Sequence, residues 1–128
     1  MSTQKFGIFE LKMTGLTRLE AATELSIYFG KDFEQQGGGD EDEYWILDQK
    51  GRRWKVGTDE SIKPMQKVQG KLVDAEDSQY KVKLVSPALI TCDDIGLLQE
   101  LLGILQKAEA VCEGVVAVAA FLFAGQAD

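Results

Sequence analysis

Few side chains in this sequence could do covalent or acid–base chemistry, and their spacing narrows the choice. The 128 residues contain no histidine. That removes the histidine general base, the Ser-His-Asp and Cys-His nucleophile arrangements, and nearly every histidine-containing zinc site. The thiols are Cys92 and Cys112, too few for a disulfide scaffold and too far apart for a Cys-x-x-Cys site. They read as reduced, ordinary core or edge residues. Cys92 falls at the start of a predicted helix, whose dipole lowers a thiol pKa, but Asp93 and Asp94 oppose that. Gly37-Gly38-Gly39 suggests a phosphate cradle, yet a P-loop continues with Gly-Lys-Ser/Thr into a helix. Here Asp40, Glu41, Asp42 and Glu43 follow, so residues 35–43 read as a solvated acidic loop. Trp45 and Trp54 could form an aromatic binding surface, although cross-strand aromatics in a hairpin more often pack against a core.

Composition limits the partners. There are 21 acidic against 14 basic residues, a net charge of -7, and a pI near 4.6. Such a surface repels phosphate backbones, so no nucleic-acid partner is expected. Apolar residues make up 45%, enough for one modest core. No signal peptide is expected at the N-terminus. The longest apolar run, 115–123, is shorter than the roughly 20 residues a membrane helix needs. A soluble, cytoplasmic protein with no membrane partner is the expectation.

The elements that must position these residues follow from periodicity. Residues 6–14 alternate, with Phe9, Leu11 and Met13 on one face and Glu10, Lys12 and Thr14 on the other. Thr17-Arg18-Leu19-Glu20 has the form of a capping box and opens a helix over 18–29, closed by Gly30. Residues 44–47 and 54–56 flank Asp48-Gln49-Lys50-Gly51 as a hairpin. Residues 58–73 read as irregular, with a short strand near 71–74. Residues 80–85 alternate up to Ser86-Pro87. A second capping box at Thr91-Cys92-Asp93-Asp94 opens a helix over 92–109 with a wide apolar face, and 115–123 reads as a strand apolar on both sides. The order β-α-β-β-β-α-β predicts one α+β domain over residues 1–128, a mostly antiparallel sheet with two helices on one face.

Several segments occur in a distinctive order: Phe-Gly-Ile at 6–8, Glu10, Met13-Thr14-Gly15-Leu16-Thr17-Arg18, Trp54-Lys55-Val56, Asp59 with Ser61-Ile62, and Leu84-Val85-Ser86-Pro87. The helix from Asp93-Asp94-Ile95 to Leu98-Gln99-Glu100-Leu101, running into Cys112 and Gly114, continues the series. In this order the chain resembles the N-terminal half of the amidoligase family, enzymes similar to glutamine-synthetase-type carboxylate–amine ligases. The resemblance spans nearly the whole chain but about half of such an enzyme. It implies ATP, a divalent metal and amide-bond formation.

The departures from the family pattern fall where that chemistry would sit. A Glu-x-Glu pair ahead of Met-Thr-Gly is here Glu10 and Lys12. A Glu two residues before Val-Ser-Pro is here Lys83. A His-x-His after a glycine in the last strand is here Val116 and Val118. Magnesium wants carboxylate, phosphate and water oxygens; a lysine in that place repels the cation, and valine neither ligates nor transfers protons. Glu10, Lys12 and Lys83 are instead expected to form cross-strand charge pairs worth at most about 1 kcal/mol each. No catalytic residue, metal or cofactor is expected. The leading expectation is an inert amidoligase-like domain, a natural degenerate or an engineered scaffold, binding a protein partner or a second copy through its uncovered sheet face. The alternative is a fragment of an ATP- and Mg-dependent carboxylate–amine ligase.

Overall fold

A computed structural model describes residues 7–38, 41–89 and 91–113. Strand β1 (Glu10–Thr14) leads into helix α1 (Arg18–Phe29), then β2 (Glu34–Gln36), β3 (Glu43–Leu47) and β4 (Arg53–Gly57). A small hairpin, β5 (Met65–Val68) and β6 (Lys71–Asp74), precedes β7 (Val82–Val85), helix α2 (Cys92–Lys107) and β8 (Val111–Glu113). Six strands form a sheet in the order β2-β3-β4-β7-β1-β8, and every pairing in it is antiparallel. The α+β class, with both helices on one face of an antiparallel sheet, agrees with the sequence reading.

Local signals account for the helices. Thr17 and Glu20 cap α1 reciprocally, and Gly30 closes it in the left-handed conformation at φ 71°, which glycine adopts without a Cβ penalty. Thr91 and Asp94 form the matching box at α2. Alternation accounts for the strands: Phe9, Leu11 and Met13 of β1 and its lead-in meet Ala21, Ala22, Leu25 and Phe29 of α1 and Leu98, Leu101 and Leu105 of α2 in one core. At Gly15 (φ 94°) an added Cβ would lie 2.3 Å from the Glu109 carbonyl oxygen, so the turn out of β1 admits only glycine.

Three expectations need correction. Residues 34–36, next to and partly inside the supposed acidic loop, form an edge strand whose polar sequence carries no alternation signal. Residues 65–68 pair with 71–74 across Gln69 and Gly70, both at positive φ (52° and 80°). That is the two-residue turn usually marked by Asn-Gly, and glutamine hides it. Thr14 is buried, exchanging hydrogen bonds with the Met65 backbone at 2.8 and 3.2 Å. The final strand expected over 115–123 lies outside the described residues; within them the last strand is β8, paired to β1.

The largest departure from the sequence reading is Asp42, placed there in a solvated loop. It is 3% exposed and Arg18 is 0% exposed. Arg18 Nη2 and Nε donate to Asp42 Oδ1 at 2.6 and 2.8 Å. Arg18 Nη1 donates to the carbonyls of Ser78 and Lys81 at 2.8 and 2.9 Å, and Gln79 donates to Asp42 at 2.9 Å. Burial pushes the Asp42 carboxyl pKa up, but hydrogen bonds from Arg18, Tyr44 and Gln79 and the Arg18 charge outweigh it and hold the value below the ordinary range.

Breaking a buried pair from one side strands the other charge. Arg18→Met and Asp42→Asn should each cost about 3–5 kcal/mol in urea unfolding. The folded-state pKa of Asp42 is lowered, so its contribution is complete above the ordinary carboxylate value of 3.8 and is lost as pH falls through the lowered value. Asp42→Asn should therefore flatten the acid limb of the stability–pH curve.

Candidate functional site

The face of the sheet opposite the helices carries Glu10 and Lys12 of β1, Lys83 and Val85 of β7, Lys55 and Gly57 of β4, and Glu43 and Trp45 of β3. Register places them in two cross-strand ranks. In one, Lys12 stands opposite Lys83, Lys83 opposite Gly57, and Glu43 beside Gly57. In the other, Glu10 stands opposite Val85, Val85 opposite Lys55, and Lys55 opposite Trp45. Glu10, Lys12 and Lys83 thus share a face, while Val116 and Val118 lie outside the described residues.

Two lysines directly opposite each other would repel. Asp59, in the loop after β4, resolves this by lying 3.8 Å from both amines. Lys83 also lies 3.7 Å from Glu10, and Lys12 Nζ donates to Ser61 Oγ at 2.8 Å. The Ser61 amide and hydroxyl donate to Asp59 at 2.9 and 2.7 Å. These hydrogen bonds, ahead of the two lysine charges, hold the Asp59 pKa below its usual value. Asp59 carries the arrangement and was not singled out from sequence as a site residue, although Asp59-x-Ser61 has the form of an Asx turn.

Beside this network is a depression of about 290 Å³ over Gly57, lined by Glu10, Glu41, Glu43, Lys55 and Lys83 among others. A Cβ at Gly57 would meet nothing nearer than the Glu43 side chain at 3.8 Å, so the missing side chain leaves the space. Among the described residues no three His, Cys, Asp or Glu side chains converge as a metal site. Glu10 and Asp59 lie 3.7 and 3.8 Å from the Lys83 amine, and an ammonium group set among the acids in this way does not fit a magnesium ion.

The structure does not bring the two tryptophans together. Trp54 pairs with Ile46 on the core side, is 0% exposed, and donates to Asp48 Oδ2 at 3.0 Å. Trp45 is on the opposite face, with the Arg53 guanidinium 4.0 Å from its ring centroid and its indole N–H on Glu43. A joint Trp45/Trp54 surface is therefore replaced by one core anchor and one half-buried surface ring. A larger cleft of about 440 Å³ lies among Tyr28, Phe29, Lys50, Arg52, Asp93 and Leu97. Its buried acids are engaged: Arg52 bridges Asp48 at 2.9 Å and Asp94 at 3.0 Å, clipping the hairpin to α2. Cys92 is exposed at the start of that helix.

Comparison with known proteins agrees with this arrangement of segments. The family model described as "Putative amidoligase enzyme" matches residues 2–120. The chain belongs to the amidoligase family. No curated protein and no solved structure matches it.

The two tryptophans should respond differently to truncation. Trp54→Ala should cost about 3–5 kcal/mol, whereas Trp45→Ala should cost no more than about 1 kcal/mol, read from urea midpoints at constant slope.

Proposed function

We propose that this chain is an amidoligase-family domain without ligase activity, whose sheet face serves as a protein-interaction surface. The observation that carries this reading is the Lys12–Asp59–Lys83 arrangement, in which two ammonium groups flank a carboxylate on the strands where the resemblance expects metal-binding acids. Transfer of a phosphoryl group from ATP needs a divalent cation to neutralise developing charge. At Lys83 a positive charge is already fixed 3.7 Å from Glu10, so a magnesium ion there would be repelled rather than held. The positions corresponding to the family's His-x-His are Val116 and Val118, which have neither proton nor lone pair to offer.

A charged face also suits a binding role. The ion pairs keep the strands soluble, and each pair is weak enough to be exchanged for an intermolecular one. Trp45, Val85 and the exposed Leu47 at 45% add apolar contact between the charges, the mixed composition typical of non-obligate interfaces. No helix among the described residues is long and apolar enough to cross a membrane.

Titrating ATP with Mg²⁺ into the protein by calorimetry tests the reading. No saturable heat is expected up to about 1 mM nucleotide; a dissociation constant below that, about −4 kcal/mol or better, would sink it.

A further inference from the structure

We infer that Lys12 and Lys83 form a carboxylate-binding site, which the chain keeps filled with its own Asp59. The two lysines stand directly opposite each other on β1 and β7, so their Cβ atoms lie about 4.5–5.5 Å apart. Their amines converge on one oxygen. Asp59 Oδ2 is 3.8 Å from Lys12 Nζ and 3.8 Å from Lys83 Nζ. Like charges in that register repel unless an anion lies between them, and the place for the anion is the one Oδ2 occupies.

Asp59 fills this place without satisfying it. Its other oxygen, Oδ1, accepts the Ser61 amide and hydroxyl at 2.9 and 2.7 Å, so the carboxylate is held by its own turn. That tether stops Oδ2 roughly 1 Å short of the 2.7–2.9 Å of a charge-assisted hydrogen bond to either amine. A carboxylate free of the turn can approach both amines to that distance. Donors remain for it. Lys12 Nζ gives one to Ser61 Oγ at 2.8 Å, Lys83 Nζ lies 3.7 Å from Glu10 Oε1, and each ammonium carries three.

The charge balance agrees. With Asp59 in place, two ammonium groups meet two carboxylates, Asp59 and Glu10. Without it, one positive charge is left over. Lys12, Lys83 and Asp59 are 38%, 25% and 25% exposed in their side chains, so solvent reaches the site. Ile62, just beyond the turn, is 2% exposed and anchors the chain there. The contact is therefore autoinhibitory. An outside carboxylate enters only by displacing Asp59 and breaking its two bonds to Ser61. Resting on the interaction reading, one carried by a protein partner meets the same barrier.

Thermal unfolding of the full chain in acetate tests this, with chloride at matched ionic strength as the reference. Asp59→Ser removes the carboxylate, leaves room for a ligand, and keeps a hydroxyl able to accept the Ser61 amide. Its Tm should rise by about 2–5 °C more in about 0.3 M acetate than in chloride, and the rise should saturate, as for a ligand bound only by the folded state. The wild type, whose site is filled, should show no such difference. Lys83→Met added to Asp59→Ser should abolish the response. Asp59→Gly gives the same readout where the serine variant folds poorly. An emptied site that responds to acetate no more than the wild type does, or a response that survives Lys83→Met, overturns the inference. The inert-domain reading is decided separately, by the ATP·Mg²⁺ titration of the wild type.

Discussion

The Arg18–Asp42 ion pair is the constraint on which the arrangement of this fold depends. Arg18 occupies the first position of α1, and Asp42 the residue before β3. With the Ser78 and Lys81 carbonyls they tie the helix, the β2–β3 edge and the entry to β7 at one buried point. A guanidinium desolvated to 0% exposure is tolerable only when its donors are used, and here Asp42 and two carbonyls take them. The pair fixes where the chain must pass more strictly than apolar packing would, because a carboxylate misplaced by an ångström or two leaves a buried charge unpaired. Hydrophobic burial supplies most of the driving force; the ion pair selects among the ways of achieving it.

The same logic runs with opposite sign on the far side of the sheet. There the charges are half-exposed, and water screens what the protein does not pair. Lys12 and Lys83 stand opposite each other in register, an unfavourable choice for an isolated hairpin. The loop carrying Asp59 comes over them and turns the repulsion into a shared counter-ion. The β4–β5 connection, read from sequence as irregular, has its order set by this charge compensation, together with Thr14, whose hydroxyl bonds the Met65 backbone from below.

What could be read from sequence was local. Thr17 with Glu20, and Thr91 with Asp94, mark the helix starts within four residues, and the alternation of Phe9, Leu11 and Met13 gives the buried face of β1 directly. What could not be read depended on partners distant in sequence. Asp42 sits among acids that are exposed elsewhere, and nothing nearby distinguishes it until Arg18 arrives from 24 positions away. The tryptophans show how a single residue of register decides an assignment. Asp48 accepts the Lys50 and Arg52 amides at 2.9 Å, which sets the turn so that Trp54 falls opposite Ile46 and not opposite Trp45. A turn shorter or longer by one would have placed both rings on one face. Of the candidate site, Glu10, Lys12 and Lys83 could be placed on a common face from alternation and family pattern together. Asp59 between them could not, since its role is visible only once the loop is folded back.

These two charge systems differ in what substitution does to them. At Arg18–Asp42 each partner is held by the cost of leaving the other buried alone, so either change is penalised at once. On the open face a carboxylate can become a lysine at a cost within the range of a surface ion pair, provided some nearby acid swings in to meet it. Asp59, anchored by its own turn to Ser61, is such an acid and stabilises Lys12 and Lys83 alike. The fold therefore constrains its open face weakly and its helix–sheet junction strongly. The buried junction thus admits little change, while the open face can exchange one charge for another at small cost to the fold.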